Sequence, residues 1–386
     1  MKSKKICIVS AQYLPHTGGV ENYVANLSAE LASRGHEVTV LTSCSGDSLV
    51  TEKNAMGVEI LRLPSMQLMD GRFPFLKIGK ALRSFTKSFK TRSFDLMFVN
   101  VRFYPLSLYA VRLARKMGVR CILMDHGSSH VNTGGKLTTK IGEWYEHILT
   151  AMEKHYCKEF ACVSKAGTEW VRHFGIKTET VLPNAVFVDR FEQMKASPTR
   201  DFRGEYGIPE NAKVIAFVGR LTLEKGIREL VDAFAGIGRE DVWLLAAGEG
   251  YLREELESRG LPNLRFVGRI PLEDVVSLLI QSQIFCLPSV SEGFPTSVLE
   301  AAICKSYVIT TYCGDAKEIV RSPEHGIILP NNETAGLQAA IASVLDRDEH
   351  RAEAVELCYR VVVENYTWER TADRLLALIE DGEVEA

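Results

Sequence analysis

The segment SEGFPTSVLEAAI, residues 291–303, places Glu292 in a Gly-Phe-Pro turn and Glu300 eight residues later in a run of helical character. An ionised carboxylate only accepts hydrogen bonds, so the paired hydroxyls of a sugar are natural ligands for both acids. Pro295 suits a first helical position, where its missing N–H costs nothing. The amides across 293–296 are expected to be free for an anion. A second constellation, GRLTLEKGIREL, puts Arg220 and Lys225 on a loop that ends in Gly226, just before a helix. Two cations beside a helix start suit a phosphate or diphosphate; a plain exposed basic pair is the alternative. Near the start, Gly18-Gly19 in PHTGGVENY precedes another helix, again an anion site in principle or simply a strand-to-helix turn. Together these groups fit an elongated ligand with a hydroxyl-rich ring at each end and phosphates between, which is a nucleotide sugar.

The elements that must carry these residues alternate between apolar strand-like runs and helical patterns. In the first half the runs are 6–11, 37–42, 58–63, 95–100, 121–125 and 159–164. The second series occupies 213–219, 242–248, 264–268, 284–288 and 307–311. Helical spacing of Val20, Tyr23, Val24, Leu27 and Leu31 fills the gap between the first two. Such alternation predicts two parallel sheets, each covered on both faces, with ligands beyond the carboxyl ends of the strands. The polar stretch ASPTRDFRGEYGIPENA sets the boundary within 186–211. His126, in MDHGSSH, closes the run 121–125 and is placed at such an end.

Composition is that of a globular chain: 386 residues, 46% hydrophobic and 25% charged. Nine cysteines without C-x-x-C spacing read as reduced thiols. No apolar run approaches the roughly 18 residues of a membrane span, and the N-terminal apolar run is too short for a signal peptide. The expectation is a cytoplasmic protein able to meet the inner face of a membrane from one side. Net charge is -3, yet residues 1–185 carry 25 Lys and Arg against 15 Asp and Glu, and residues 186–386 carry 21 against 34. The halves therefore face different partners.

E-x7-E with EGFP inside it, preceded by G-R-x-x-x-x-K-G and an N-terminal GGVE loop, resembles the family 4 retaining glycosyltransferases of the GT-B fold. FVGRI (266–270), VLPNAVFVDRF (181–191) and NYTWERTADRLLALIE (365–380) extend the resemblance over nearly the whole chain. The fold it implies is α/β, with two Rossmann-like doubly wound domains facing each other across a cleft. Residues 1–185 would bind acceptor, 186–365 would bind the nucleotide sugar, and the helix 366–386 would cross back. By the same resemblance Glu300 binds the ribose and Glu292 the transferred sugar. Arg220 and Lys225 hold the diphosphate with amides from Gly293, Phe294 and Pro295, with Thr296, and with Gly18 and Gly19. Arg269 meets the base. His126, with Arg220, Lys225 and Glu292, forms the catalytic set near the reaction centre. No metal or other cofactor is expected, because cations and amides answer the charge of the leaving phosphate.

The chain departs from the family where AAICKSYVI puts Lys305 and Tyr307 in place of a glycine and a proline, and where P-N-G reads Pro183-Asn184-Ala185. Lys305 in a left-handed conformation would cost roughly 1–2 kcal/mol. His130, His147, His155 and His173 read as structural residues rather than site residues. The D-x-D of LDRDEH (345–350) follows no strand and is read as no metal site, and the sequons at Asn26, Asn332 and Asn365 carry little weight without a secretory signal. From Gly71 to Phe94 there is no acid. Lys77, Lys80, Arg83, Lys87 and Lys90 are expected on one side of a helix, with Phe75, Ile78, Leu82, Phe85 and Phe89 opposite. The apolar side would pack on its own domain, and the basic face would meet anionic lipid headgroups. That favours a lipid-linked sugar as acceptor; a soluble sugar is the alternative, and nothing points to nucleic acid. A non-catalytic nucleotide-sugar-binding protein could dispense with His126 or Lys225. A dinucleotide oxidoreductase would need G-x-G-x-x-G after its first strand, a phosphorylase would have no use for a ribose contact at Glu300, and GDP-mannose is the alternative to a UDP-sugar donor.

Overall fold

The computed structural model describes residues 2–68, 73–130 and 136–384. Contacts divide the chain into two compact units, residues 1–184 with 368–386, and residues 185–367.

The first unit is built on β1 (Lys5–Ser10), β2 (Glu37–Ser45), β3 (Val50–Lys53), β4 (Glu59–Leu68), β5 (Phe73–Leu76), β6 (Leu96–Asn100), β7 (Cys121–Asp125) and β8 (Glu159–Cys162). The strands lie in the order β3-β4-β2-β1-β6-β7-β8, with β5 also paired to β4. Every pairing is parallel except those of β3 and β5 with β4. Central strands such as CIVS and LMFVN are apolar on both faces because helices cover both. The helix Trp368–Val384 belongs to this unit: Trp368 sets its ring edge-on to Tyr23, 5.3 Å between centroids, and Arg34 pairs with Asp373 at 2.5 Å.

The second unit is built on β9 (Lys213–Val218), β10 (Val242–Ala247), β11 (Leu264–Gly268), β12 (Ile284–Leu287), β13 (Tyr307–Thr311) and β14 (Gly326–Leu329), in the order β11-β10-β9-β12-β13-β14 and wholly parallel. Successive strands build outward from β9 in one direction and from β12 in the other. Ile215 of β9 sits opposite Ile284 of β12, so the loops leaving these two strands emerge side by side. The first sheet has the same reversal between β1 and β6. Both are topological switch points, where loops diverge and leave room for a ligand.

Two features differ from the sequence reading. The basic helix spans only Lys80–Phe89. Phe75 lies on β5, drawn into the sheet by pairing with Met66, and Lys77 is ion-paired to Asp47 at 2.7 Å. Ile78 is 87% exposed, and Gly79 caps the helix in extended backbone. A proline at 74 and a glycine at 79 stop the helical pattern from running back to 75. Residues 71 and 72 of the acid-free stretch lie outside the described residues. Strands β3, β5 and β14 lack the long apolar runs by which the others are recognised.

Lys305 is left-handed at φ 59°, closing the helix Thr296–Ile303 as a Schellman turn in which Lys305 and Ser306 amides bond Ala302 and Ala301 carbonyls. The conformation of the turn is thus held without glycine. The ammonium of Lys305 reaches Glu356 at 2.5 Å and lies 4.9 Å from the centre of the Tyr359 ring.

After β9, the short 3-10 helix Leu223–Lys225 ends at Gly226, φ 68°, where a Cβ would fall 2.0 Å from the carbonyl oxygen of Pro288. Gly238 has nearly the same φ, 64°, but faces open space. Gly238→Ala is therefore expected to cost roughly 1–2 kcal/mol, the left-handed penalty alone. Gly226→Ala should exceed it by at least about 2 kcal/mol as backbones are forced apart; urea denaturation of the two variants checks the difference.

Candidate functional site

The loop after β9 leaves the sheet at Gly219, whose amide bonds the carbonyl of Ala247 at 3.0 Å. Arg220 follows, exposed, with no ion pair among the described residues. Lys225 turns back from the 3-10 helix and pairs with Glu292 Oε1; both side chains are largely buried. Ser289 Oγ donates to the same oxygen at 2.7 Å, and the amide of Val290 donates to the carbonyl of Glu224 at 2.8 Å. The two loops are thus laced together by a charge pair and a backbone hydrogen bond. Glu224 itself is held below the usual carboxylate range by its own amide and the Thr222 hydroxyl first, with Arg220 and Lys225 adding to it.

After β12, Gly293 and Phe294 present amides that have no partner among the described residues. The expected donor set is narrower than the sequence reading. Pro295 carries no N–H, and the amide of Thr296 is already given to the carbonyl of Phe294 at 3.0 Å. Pro295 occupies the N-cap, one residue before the position predicted, and the helix runs Thr296–Ile303. On it Glu300 is partly buried, and its carboxylate has no hydrogen bond or ion pair among the described residues. Burial alone pushes its pKa up to about 7. A partly desolvated carboxylate without a partner is open to hydrogen-bond donors brought by a ligand, which makes Glu300 a candidate site residue. Arg269 is exposed and follows Gly268, the carbonyl of which accepts from the Gly248 amide at 2.8 Å.

In the first unit Gly18 is the extended N-cap of the helix Gly19–Ser33, whose first turn has no side-chain cap. His126 follows β7. Asn100, at the end of β6, donates Nδ2–H to the Val9 carbonyl at 3.3 Å, which turns its Oδ1 toward His126 Nε2, 2.9 Å away. The imidazole consequently donates from Nε2 and keeps its lone pair on Nδ1. Desolvation lowers its pKa to about 3. His126 is therefore neutral at physiological pH, able to hydrogen-bond but not to act as a cationic acid.

A network that sequence reasoning missed supports this loop. Arg102, 1% exposed, pairs with Asp125 at 2.5 Å and Glu146 at 3.2 Å, and lies 3.7 Å from the centre of the Phe174 ring. Asp125 Oδ1 in turn accepts from the Gly127 amide at 2.8 Å. Nearby, Glu153 accepts from the Phe103 amide, and burial raises its pKa to about 8. The only sequence signal was the charge of Arg102 directly after an apolar strand.

The remaining motifs resolve simply. Lys80, Arg83, Lys87 and Lys90 are exposed, while Phe85 and Phe89 are buried and Leu82 packs against the same core. Asp346 pairs with Arg239 and Asp348 with Lys213, so the D-x-D acids serve surface ion pairs. All nine cysteines are free thiols. No helix among the described residues is long and apolar enough to cross a membrane. A hollow of about 460 Å³ lined by Phe234, Gly238 and Leu261 precedes β10 and β11, at the opposite end of the sheet from these loops.

Because Glu300 is held above its ordinary value, the folded state binds more protons, and stability falls as pH rises from about 4.5 to 7. Glu300→Gln should accordingly be more stable than the parent at pH 8, by roughly 1–3 kcal/mol, and the gap should vanish near pH 4, below the unfolded value. Urea midpoints at the two pH values measure this; a variant that is weaker at pH 8 would mean that the carboxylate supports the fold.

Residues 198–361 match the family described as Glycosyl transferases group 1, and residues 17–190 match Glycosyltransferase Family 4. Among curated proteins, the chain is 26% identical to one component of human phosphatidylinositol N-acetylglucosaminyltransferase, over 100% of this chain and 78% of that protein. It is also 26% identical to the GDP-mannose-dependent alpha-mannosyltransferase of Corynebacterium glutamicum, over 97% and 88%. Among solved structures, sucrose-phosphate synthase from Thermosynechococcus elongatus superposes with TM-score 0.77 at 19% identity, over 99% and 100% of the two chains. Anabaena Alr3699/HepE, crystallised with UDP, gives 0.75 at 16% identity, over 98% and 100%. With two parallel-sheet α/β units of the GT-B class and a family match on each, the chain belongs to the glycosyltransferases of this family.

Proposed function

We propose that this glycosyltransferase moves a hexose or N-acetylhexosamine from a nucleoside-diphosphate sugar, a UDP-sugar first among candidates, to an acceptor hydroxyl with retention of configuration. The observation that carries the proposal is Glu300, a partly buried carboxylate in the helix that follows the amides of Gly293 and Phe294, all three without a partner among the described residues. In this reading Glu300 accepts from the ribose hydroxyls and Glu292 from those of the transferred sugar. Arg220, Lys225 and the amides of Gly293 and Phe294 hold the diphosphate, with Gly18 and Gly19 as further backbone contacts and Arg269 beside the base. Thr296 contributes its hydroxyl rather than its amide, and His126 hydrogen-bonds the sugar as a neutral ring.

Breaking the C1–O bond develops negative charge on the leaving phosphate, and fixed cations and dipoles answer it best. No divalent ion is invoked for that step, so the rate should be unchanged by added Mg²⁺ or Mn²⁺. The acceptor hydroxyl attacks from the face the phosphate leaves, and a phosphate oxygen takes its proton. A lipid-linked acceptor is favoured by the exposed cations of the helix Lys80–Phe89. The first unit also exposes Ile141, Trp144 and Ile148 along one helix, at spacings that suit a lipid-facing stripe. The name of the human relative points the same way.

Arg220→Ala tests the charge assignment most cleanly, since the side chain is exposed and has no ion pair among the described residues. It should leave stability within about 0.5 kcal/mol while lowering turnover by roughly 10²–10³-fold. Nucleotide release from a panel of UDP- and GDP-sugars, read alongside thermal melts, measures both; unchanged turnover would remove the role. For the membrane contact, replacing Lys80, Arg83, Lys87 and Lys90 by Gln should weaken flotation with anionic vesicles at low salt, by about 1 kcal/mol per cation.

A further inference from the structure

His130 in the loop after β7, His147 in the helix Lys136–Tyr156 and His173 in the 3-10 helix Val171–Phe174 converge from three separate segments of the first unit. Taking one ring nitrogen from each, the three atoms lie within 4.8 Å of one another. Nε2 of His147 and Nε2 of His173 are only 3.1 Å apart. A tetrahedral zinc ion with bonds of about 2.0–2.1 Å spaces its ligand nitrogens by roughly 3.3 Å, so that edge is already formed. His147 and His173 are exposed and His130 is partly so, which leaves the group open to an ion from solvent.

The surroundings fit imidazole ligation. Nδ1 of His130 lies 3.1 Å from Glu146 Oε2, a carboxylate that is buried and also held by Arg102. A neutral His130 donating from Nδ1 keeps its lone pair on Nε2, the carboxylate–histidine arrangement that orients metal ligands. Trp170 stacks on His173 at 5.4 Å and 10°, limiting how far that ring can turn. Three imidazoles and no thiolate suit Zn²⁺ and its borderline neighbours rather than Mg²⁺ or Ca²⁺.

We propose that His130, His147 and His173 bind one Zn²⁺ ion, with water completing the coordination, and that the ion clamps the loop carrying His126 and Gly127 to the two helical segments. The site is separate from the transfer chemistry. Its use would be to hold the loop, and its occupancy would make the rigidity of that loop depend on zinc. The spacing of 17 and then 26 residues hides the group from any local motif.

Tag-free protein stripped with a chelator and then titrated with Zn²⁺ against a chromophoric competitor tests the site. The parent should take up one equivalent, its melting temperature should rise with Zn²⁺, and Co²⁺ in its place should give visible bands of a four-coordinate ion. His147→Ala and His173→Ala, both at exposed positions, should lose at least tenfold in affinity together with the Co²⁺ bands. His155→Ala, eight residues along the same helix, should lose neither. Absence of equimolar uptake by the parent, or equal uptake by the His147→Ala/His173→Ala double variant, would overturn the assignment.

Discussion

Lys225 and Glu292 leave neighbouring parallel strands and meet where solvent is largely excluded, so each charge makes the other tolerable there. Removing water from either alone would be costly, and their mutual attraction with the Ser289 hydroxyl offsets that cost. The consequence is positional. Once the pair forms, the loops after β9 and β12 cannot move independently, and Gly226 pressed against Pro288 fixes the same approach from the backbone side. Arg220 and the amides of Gly293 and Phe294 inherit their places from that junction. The wall proposed to bind the diphosphate is therefore laced together by the chain's own contacts, which would leave little ordering cost to binding.

Two titratable groups outside that pair are shifted by the same cause with opposite chemical results. Burial drives Glu300 toward the neutral acid and His126 toward the neutral base. For Glu300 the shift ends near neutrality, so hydroxyl donors brought by a ligand can restore the carboxylate. The His126 shift ends far below physiological pH, and Asn100 fixes which nitrogen carries the proton. In the role proposed for it, beside a developing cation at a sugar carbon, a ring that stays uncharged would be the useful form, because a positive imidazolium would oppose that charge.

How much of this was legible depended on how local the signal was. Strands buried on both faces announce themselves as apolar runs, and the loops follow them at once, so the placement of Arg220, Lys225, Glu292 and Glu300 beyond the ends of β9 and β12 could be read from residue order. The strand VTEK is exposed at every position and gave no such signal. The basic helix was overextended because Phe75 and Ile78 matched its period while Pro74 and Gly79, which set its true start, were outvoted. Thr296 was misjudged as a free amide since an N-cap displaced by one residue changes which N–H groups remain unbonded. Glu146 and Glu153 could not be read, and Arg102 only as a charge following an apolar strand: the links from Arg102 to Glu146 and from the Phe103 amide to Glu153 join positions 44 and 50 residues apart, and nothing in the local pattern distinguishes the two acids from surface charges.

That buried network also explains a backbone cost. Val101 and Phe103 both take positive φ, 64° and 66°, immediately after β6, and for a β-branched residue that is strongly disfavoured. Between them Arg102 is aimed inward to Asp125 and Glu146, while the Phe103 amide reaches Glu153 and the Val101 amide bonds Met124 on β7. A regular continuation of the strand would alternate the side chains and could not send Arg102 to Asp125 and Glu146 while the Phe103 amide reaches Glu153. The strain is thus balanced by satisfied buried charges rather than by apolar packing, which fixes geometry more sharply than area burial does. What it fixes is the segment Asp125–Gly127, so that His126 stands between a carboxylate and a main-chain amide that are already committed.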